Sequence, residues 1–142
     1  MLIHYWHKLL ETKKYDLDWH IKDVADEMTE LSESKGLINR LSELSDVSYT
    51  YSRTLWSGHK IAKPLNSFLI FLGYFYMIPK YTLRWLLFYS AGKAVNPNVK
   101  VRAVRNPRKT HKLDEIATEF NLDSTRFKQE VEKRLKYWVL LK

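Results

Sequence analysis

An all-α fold is predicted, a four-helix unit followed by a further helical and basic C-terminal region. Three observations predict it. Apolar residues recur at steps of three and four over most of the chain. Helix-ending glycines and capping aspartates punctuate those runs. A chain of 142 residues with 45% hydrophobic and 14% aromatic residues can bury a core without staples.

Residues 2–13 form a first expected helix, with Leu2, Tyr5, Trp6, Leu9 and Leu10 on one side. Asp16 or Asp18 caps the second, whose apolar seam is Leu17, Ile21, Val24, Met28 and Leu31. Gly36 ends it, behind Lys35 in the last turn. The third carries Leu37, Leu41, Leu44, Val47, Tyr51 and Leu55 and closes at Gly58, so 17–57 reads as an antiparallel helical hairpin. Pro64 or Asn66 starts a fourth helix over 67–78; Pro79 breaks it, and 81–91 is a fifth. Val99, Val101 and Ala103 alternate with Lys100 and Arg102, the pattern of a short strand. Two helices follow, over 112–120 and 124–140. The expected domains are 1–92 and 93–142.

Composition excludes several classes. The chain has no cysteine, hence no disulfide framework, thiolate metal site or thiol nucleophile. That suits a reducing compartment, and with no apolar leader at the start a cytoplasmic location is expected. Residues 68–89 are apolar enough to raise the question of a membrane span, but Lys80 and Arg84 lie within them, and mid-bilayer charge is expensive. No membrane partner is expected. No glycine-rich phosphate loop, zinc spacing or nucleophile–histidine–aspartate arrangement appears.

Charge is unevenly placed. The formal net charge is +8, yet residues 1–66 hold nine Lys/Arg against ten Asp/Glu and residues 67–142 fifteen against six. The acidic half carries the chemistry. Glu27 and Glu30 share one face of the second helix, and Glu43 and Asp46 one face of the third. Each stands one position before a residue of its apolar seam. The pairs 30/43 and 27/46 share one midpoint, between Gly36 and Leu37. Folding the hairpin there sets Glu30 level with Glu43 and Glu27 level with Asp46. Four converging carboxylates repel one another, and a divalent cation relieves the repulsion. Oxygen ligands alone favour Mg²⁺ or Mn²⁺ over Zn²⁺. The bland alternative is a solvated helix face, to which Asp23, Asp26 and Glu33 are assigned.

Glu27-Met28-Thr29-Glu30, a spacer of twelve and Glu43-Leu44-Ser45-Asp46 resemble the E-x-x-E and E-x-x-D signature of the MazG-like all-α nucleoside triphosphate pyrophosphohydrolases. The resemblance covers residues 15–57. It implies Mg²⁺-dependent cleavage of a nucleoside triphosphate between the α and β phosphates by a homodimer or higher homo-oligomer. It makes Glu27, Glu30, Glu43 and Asp46 catalytic metal ligands, with one of them alternatively orienting the attacking water. Arg53 and Lys60 are candidate phosphate-binding groups. His20 lies two turns before Glu27, and Trp6, Tyr15 and Trp19 are candidates to stack a base, core packing being the stronger expectation for each aromatic. The spacer is short for the family, and the pattern leaves the C-terminal half unexplained.

That half supports an alternative function, nucleic-acid binding without catalysis. Residues 93–112 hold seven Lys/Arg and no acid, and the segment after them resembles a helix-turn-helix, with Asn121 at the left-handed turn position. Arg105, Arg108, Lys109, Arg126 and Lys128 are the residues offered to phosphates or bases.

Overall fold

A computed structural model describes residues 2–137 of the chain. Among them six helices and no strand occur: α1 (Leu2–Leu9), α2 (Leu17–Glu33), α3 (Leu37–Trp56), α4 (Ser67–Val95), α5 (Thr110–Glu119) and α6 (Ser124–Leu135). The fold is all-α. Two compact units divide the chain at Met1–Pro79 and Lys80–Lys142, a division that falls inside α4.

In the first unit α1 stops short of the expected residue 13. Glu11 takes a positive φ of 49°, and the chain leaves the helix there. The next carbonyls are claimed by α3: Trp56 Nε1 donates to Thr12 O at 3.0 Å, and Arg53 Nε to Lys13 O at 3.0 Å. Asp16 caps α2, its carboxylate accepting from Trp19 N at 2.8 Å. Gly36, at φ 83°, supplies the left-handed residue that reverses the chain into α3. α2 and α3 then pack along each other as an antiparallel hairpin.

The apolar seam of α2 is only partly used. Val24 is buried and Met28 and Leu31 half-buried, but Leu17 and Ile21 are exposed and His20 is buried in their stead. The buried face of α3 is largely hydroxyl: Ser45, Ser48, Thr50, Ser52 and Thr54 are all inside. Four of them need no distant partner, because they bond back to carbonyls of their own helix. Ser45 donates to Ser42 O, Thr50 to Val47 O, Ser52 to Tyr49 O and Thr54 to Thr50 O. Small side chains also let α4 approach closely. A Cβ added at Gly73 would stand 1.9 Å from Ser48 Oγ and 2.8 Å from Leu44 O.

Pro79 does not break the helix; α4 runs through it. An internal proline costs about 3 kcal/mol. Met77 before it and Leu87 and Phe88 after it are completely buried, each in its own unit, and that packing outweighs the lost hydrogen bond. No helix among the described residues is long and apolar enough to cross a membrane.

The second unit wraps α5 and α6 and the later part of α4 around Leu87, Phe88, Leu113, Ile116, Phe127 and Val131. The expected strand over 99–103 is instead a connection with no regular structure. Val101 is fully buried and Lys100 exposed, but Val99, Arg102 and Ala103 are all half-buried, and among the described residues no second strand offers a ladder. Gly92 receives Val101: a Cβ there would lie 2.3 Å from Val101 Cγ2. Asn121 takes the left-handed conformation at φ 51°, and Asp123 caps α6 by accepting from Arg126 N at 2.7 Å. α6 ends at Leu135, with Lys136 as its C-cap and a turn at 136–137, short of the expected 140; residues 138–140 lie outside the described residues.

Candidate functional site

The hairpin register brings acids together. Glu27, Glu30 and Glu43 each present a carboxylate oxygen, and the three oxygens lie within 4.8 Å of one another. Glu30 is exposed, while Glu27 and Glu43 are half-buried. Asp46 lies outside this trio, yet it is the strongest of the charges acting on Glu27. Burial first, then Asp46, Glu30, Asp23 and Glu43 in turn, push the Glu27 carboxyl up to about 8. Five acids therefore crowd one edge of α2 and α3, and one of them holds its proton at neutral pH.

The donor set fits a hard divalent cation. Glu27, Glu30 and Glu43 would supply the hard carboxylate oxygens that Mg²⁺ or Mn²⁺ prefers, from oxygens already within 4.8 Å of one another. A bound dication would replace the proton on Glu27 and offset the repulsion among its neighbours.

Asp23 belongs to this edge, contrary to its assignment to a solvated face. It is half-buried, and burial raises its pKa while Arg53 opposes the rise. The signal was present in the sequence: Asp23 stands four residues before Glu27, on the same helix face.

Arg53 is held rather than free to swing. Its guanidinium packs 4.6 Å from the ring centre of Tyr15, 4.8 Å from that of Trp19 and 5.9 Å from that of Tyr49. Tyr15 and Trp19 stack on each other at 4.1 Å. This cationic box caps the end of the acidic edge nearest Asp23, and its charge bears on Asp23, His7 and His20. Trp6 meets Tyr49 and His7 edge-on, as a packing residue.

His20 is buried, with Nε2 sharing a 2.8 Å hydrogen bond with Ser57 Oγ, and so does not extend toward the carboxylates as a ligand. Burial and the nearby Arg53 lower its pKa. His7, which the sequence did not single out, is likewise interior. It bonds Ser52 Oγ at 2.8 Å and Thr12 Oγ1 at 3.0 Å, and burial, Arg53 and His4 lower its pKa to about 3. Lys60 is exposed in the connection after α3 and is not among the charges that act on Glu27.

The basic residues of the second unit divide into two groups. Arg105 pairs with Glu115 and lies 3.8 Å from Glu119, and Lys128 pairs with Asp114. Arg108, Lys109 and Arg126 are exposed. Comparison of the chain with protein-family models, with curated proteins and with solved structures returns no match.

Proposed function

We propose that the chain is a Mg²⁺- or Mn²⁺-dependent nucleotide pyrophosphohydrolase of the MazG-like kind, cleaving a nucleoside triphosphate to monophosphate and pyrophosphate. One observation carries the reading: three carboxylate oxygens from two antiparallel helices lie within 4.8 Å of one another, with a fourth acid, Asp46, acting on the half-buried Glu27. Acids are not gathered in this way to stabilise a fold, because each raises the cost of ionising the next.

The roles follow from position. Glu27, Glu30 and Glu43 would hold the ion. Bound there, Mg²⁺ would supply electrophilic polarisation of the phosphate and acidify a coordinated water. Asp46, beside the trio, would accept a hydrogen bond from the attacking water and orient it. Arg53 stands two turns beyond Asp46 on α3, about 10 Å along the helix, a distance that suits the far end of a triphosphate. Its aromatic box fixes the guanidinium, so the charge is pre-positioned for phosphate.

Nucleic-acid binding by the second unit is the alternative. It draws on the exposed Arg108, Lys109 and Arg126, but Arg105 and Lys128 are already neutralised by acids of α5. The pairing favours the enzyme reading. The deciding experiment is a pyrophosphate-release screen over ribo- and deoxyribonucleoside triphosphates with Mg²⁺. Release by the wild type and none by Glu30→Gln supports the proposal. No release from any nucleotide, with retention on DNA or RNA that falls steeply with salt, supports the alternative.

A further inference from the structure

The N-terminal segment is fastened to α3 largely through polar groups. α1 leaves Leu2, Tyr5 and Leu9 in solvent and turns His7 inward, completely buried. His7 Nε2 meets Ser52 Oγ at 2.8 Å. Ser52 Oγ donates its own hydrogen to Tyr49 O at 2.9 Å, so it accepts from His7 Nε2–H. Nδ1 then carries the lone pair and accepts from the Thr12 hydroxyl at 3.0 Å. Beyond α1, Trp56 and Arg53 hold the carbonyls of Thr12 and Lys13, and His59 Nε2–H donates to Tyr15 O at 3.0 Å. His20 Nε2 meets Ser57 Oγ at 2.8 Å, while its Nδ1 is buried with no partner. His4 packs edge-on against Trp56, so four of the five histidines gather where residues 2–20 meet α3 and the turn after it.

His7 and His20 fit this arrangement as neutral rings. A proton added at His7 Nδ1 would reverse the Thr12 bond and place a full charge in the interior. That charge would face Arg53 from α3 and His4 from α1, and no carboxylate is among the groups that bear on it. A proton added at His20 Nδ1 would leave a buried N–H with no acceptor, facing Arg53 and His59, with Asp16 alone favouring it. The segment has little else to keep it in place. Isolated helices shorter than about 12 residues are marginal in water, and α1 has 8 residues with most of its large apolar side chains outside.

We infer that these buried imidazoles form an acid-released clasp: neutral, they hold residues 2–16 against α3; protonated, they let that segment go while the α2–α3 hairpin stays folded. The hairpin keeps its own packing at Val24, Leu44 and Val47. The direction follows from His7. Burial first, then Arg53 and His4, hold its ring at about 3 against an ordinary 6.5, so docking is at full strength above 6.5 and weakens as pH falls toward 3. Through His7 alone, docking at pH 4.5 is about a hundredfold weaker than at pH 7.5. Release takes Lys13 O and the Tyr15 ring away from Arg53, so the guanidinium is fixed at neutral pH and loose in acid.

Amide hydrogen exchange of the full-length chain in EDTA, corrected for the intrinsic effect of pH, tests the clasp without relying on the carboxylate site. Between pH 7.5 and 4.5, protection over residues 3–10 is expected to fall about a hundredfold, while residues 44–51 of α3 and 113–117 of α5 keep theirs. His7→Gln, whose amide can still donate to Ser52 but does not titrate, is expected to lose most of that fall. Should this variant release the segment at neutral pH as well, the wild-type imidazole nitrogen resonances decide. His7 is expected as the Nε2–H tautomer at pH 7.5, gaining its proton only in step with the loss of protection over 3–10. Protection that does not change with pH overturns the inference, as does His7 titrating near 6.5 within a protected α1. Loss of protection in α1 and α3 at one midpoint overturns it in favour of ordinary acid unfolding.

Discussion

The two units treat acidic residues in opposite ways. In the second, Asp114, Glu115, Glu119 and Glu130 each face a cation: Lys128, Arg105 and Arg134 supply the partners. Hydrogen bonds from Lys128 and Ser124 hold the Asp114 carboxyl below its usual range, and Arg134 does the same for Glu130. In the first, burial and four other acids drive Glu27 up to about 8. A fold that needed only stability would use the arrangement of the second unit throughout. The first unit instead concentrates like charge along one edge of a hairpin, and that concentration is the feature on which the proposed cation site rests.

The contrast breaks most sharply on activity. Glu43→Gln removes one of the three convergent oxygens and is expected to lower nucleotide hydrolysis by about a hundredfold or more, read as pyrophosphate release. Charge removal in the second unit, for example Glu130→Gln, is expected to leave the same rate unchanged.

The next effect is steric. Gly73→Ala places a Cβ against Ser48 Oγ and Leu44 O, and is expected to destabilise the first unit by about 1–3 kcal/mol in denaturant unfolding. Wild-type stability would show that α3 and α4 separate more easily than their packing implies.

A smaller effect separates the units by pH. Glu27 has a folded pKa of about 8 against an ordinary value of 4.5, so its ionisation costs folding free energy. The cost is absent below the ordinary value, grows as pH rises, and is complete above the folded value. Glu27→Gln removes it. The metal-free variant is expected to melt with the wild type at pH 4 and above it at pH 9. The gap should reach about 1 kcal/mol once solvent screening is allowed for, or roughly 2–4 °C. A constant gap at all pH would contradict the assignment of that proton to Glu27.

Smallest is the mirror case. Glu130 has a lowered folded pKa, so its contribution is present above 4.5 and fades as pH falls through the folded value. Glu130→Gln is expected to lower the melting temperature by less than about 2 °C at pH 7 and not at all near pH 2.

The sequence made the hairpin legible because its determinants are local. Asp16 caps α2, Gly36 reverses the chain, and the midpoint of the acidic pairs sets which carboxylates meet. The left-handed Asn121 was legible for the same reason. What was not legible depended on distant partners. α1 ends early because side chains of Trp56 and Arg53 take the carbonyls of Thr12 and Lys13. Pro79 stays helical because residues on both sides of it are buried. Val101 alternates like a strand residue but packs on Gly92 instead of pairing with another strand. Asp23 shares the one-residue offset, standing just before Val24, but its mirror position across the turn is Thr50 rather than an acid, and what places it on this edge is its partial burial and the nearby Arg53 and Tyr49.

Thermal unfolding of the wild type with EDTA and with millimolar Mg²⁺ tests the carboxylate site most directly. A cation that binds only the folded state at a hundredfold above its Kd stabilises by about 2.7 kcal/mol. The expected result is a melting temperature several degrees higher in Mg²⁺, with the increment lost in Glu30→Gln. Coincident wild-type curves in EDTA, Mg²⁺ and Mn²⁺, with and without nucleotide, would contradict the account.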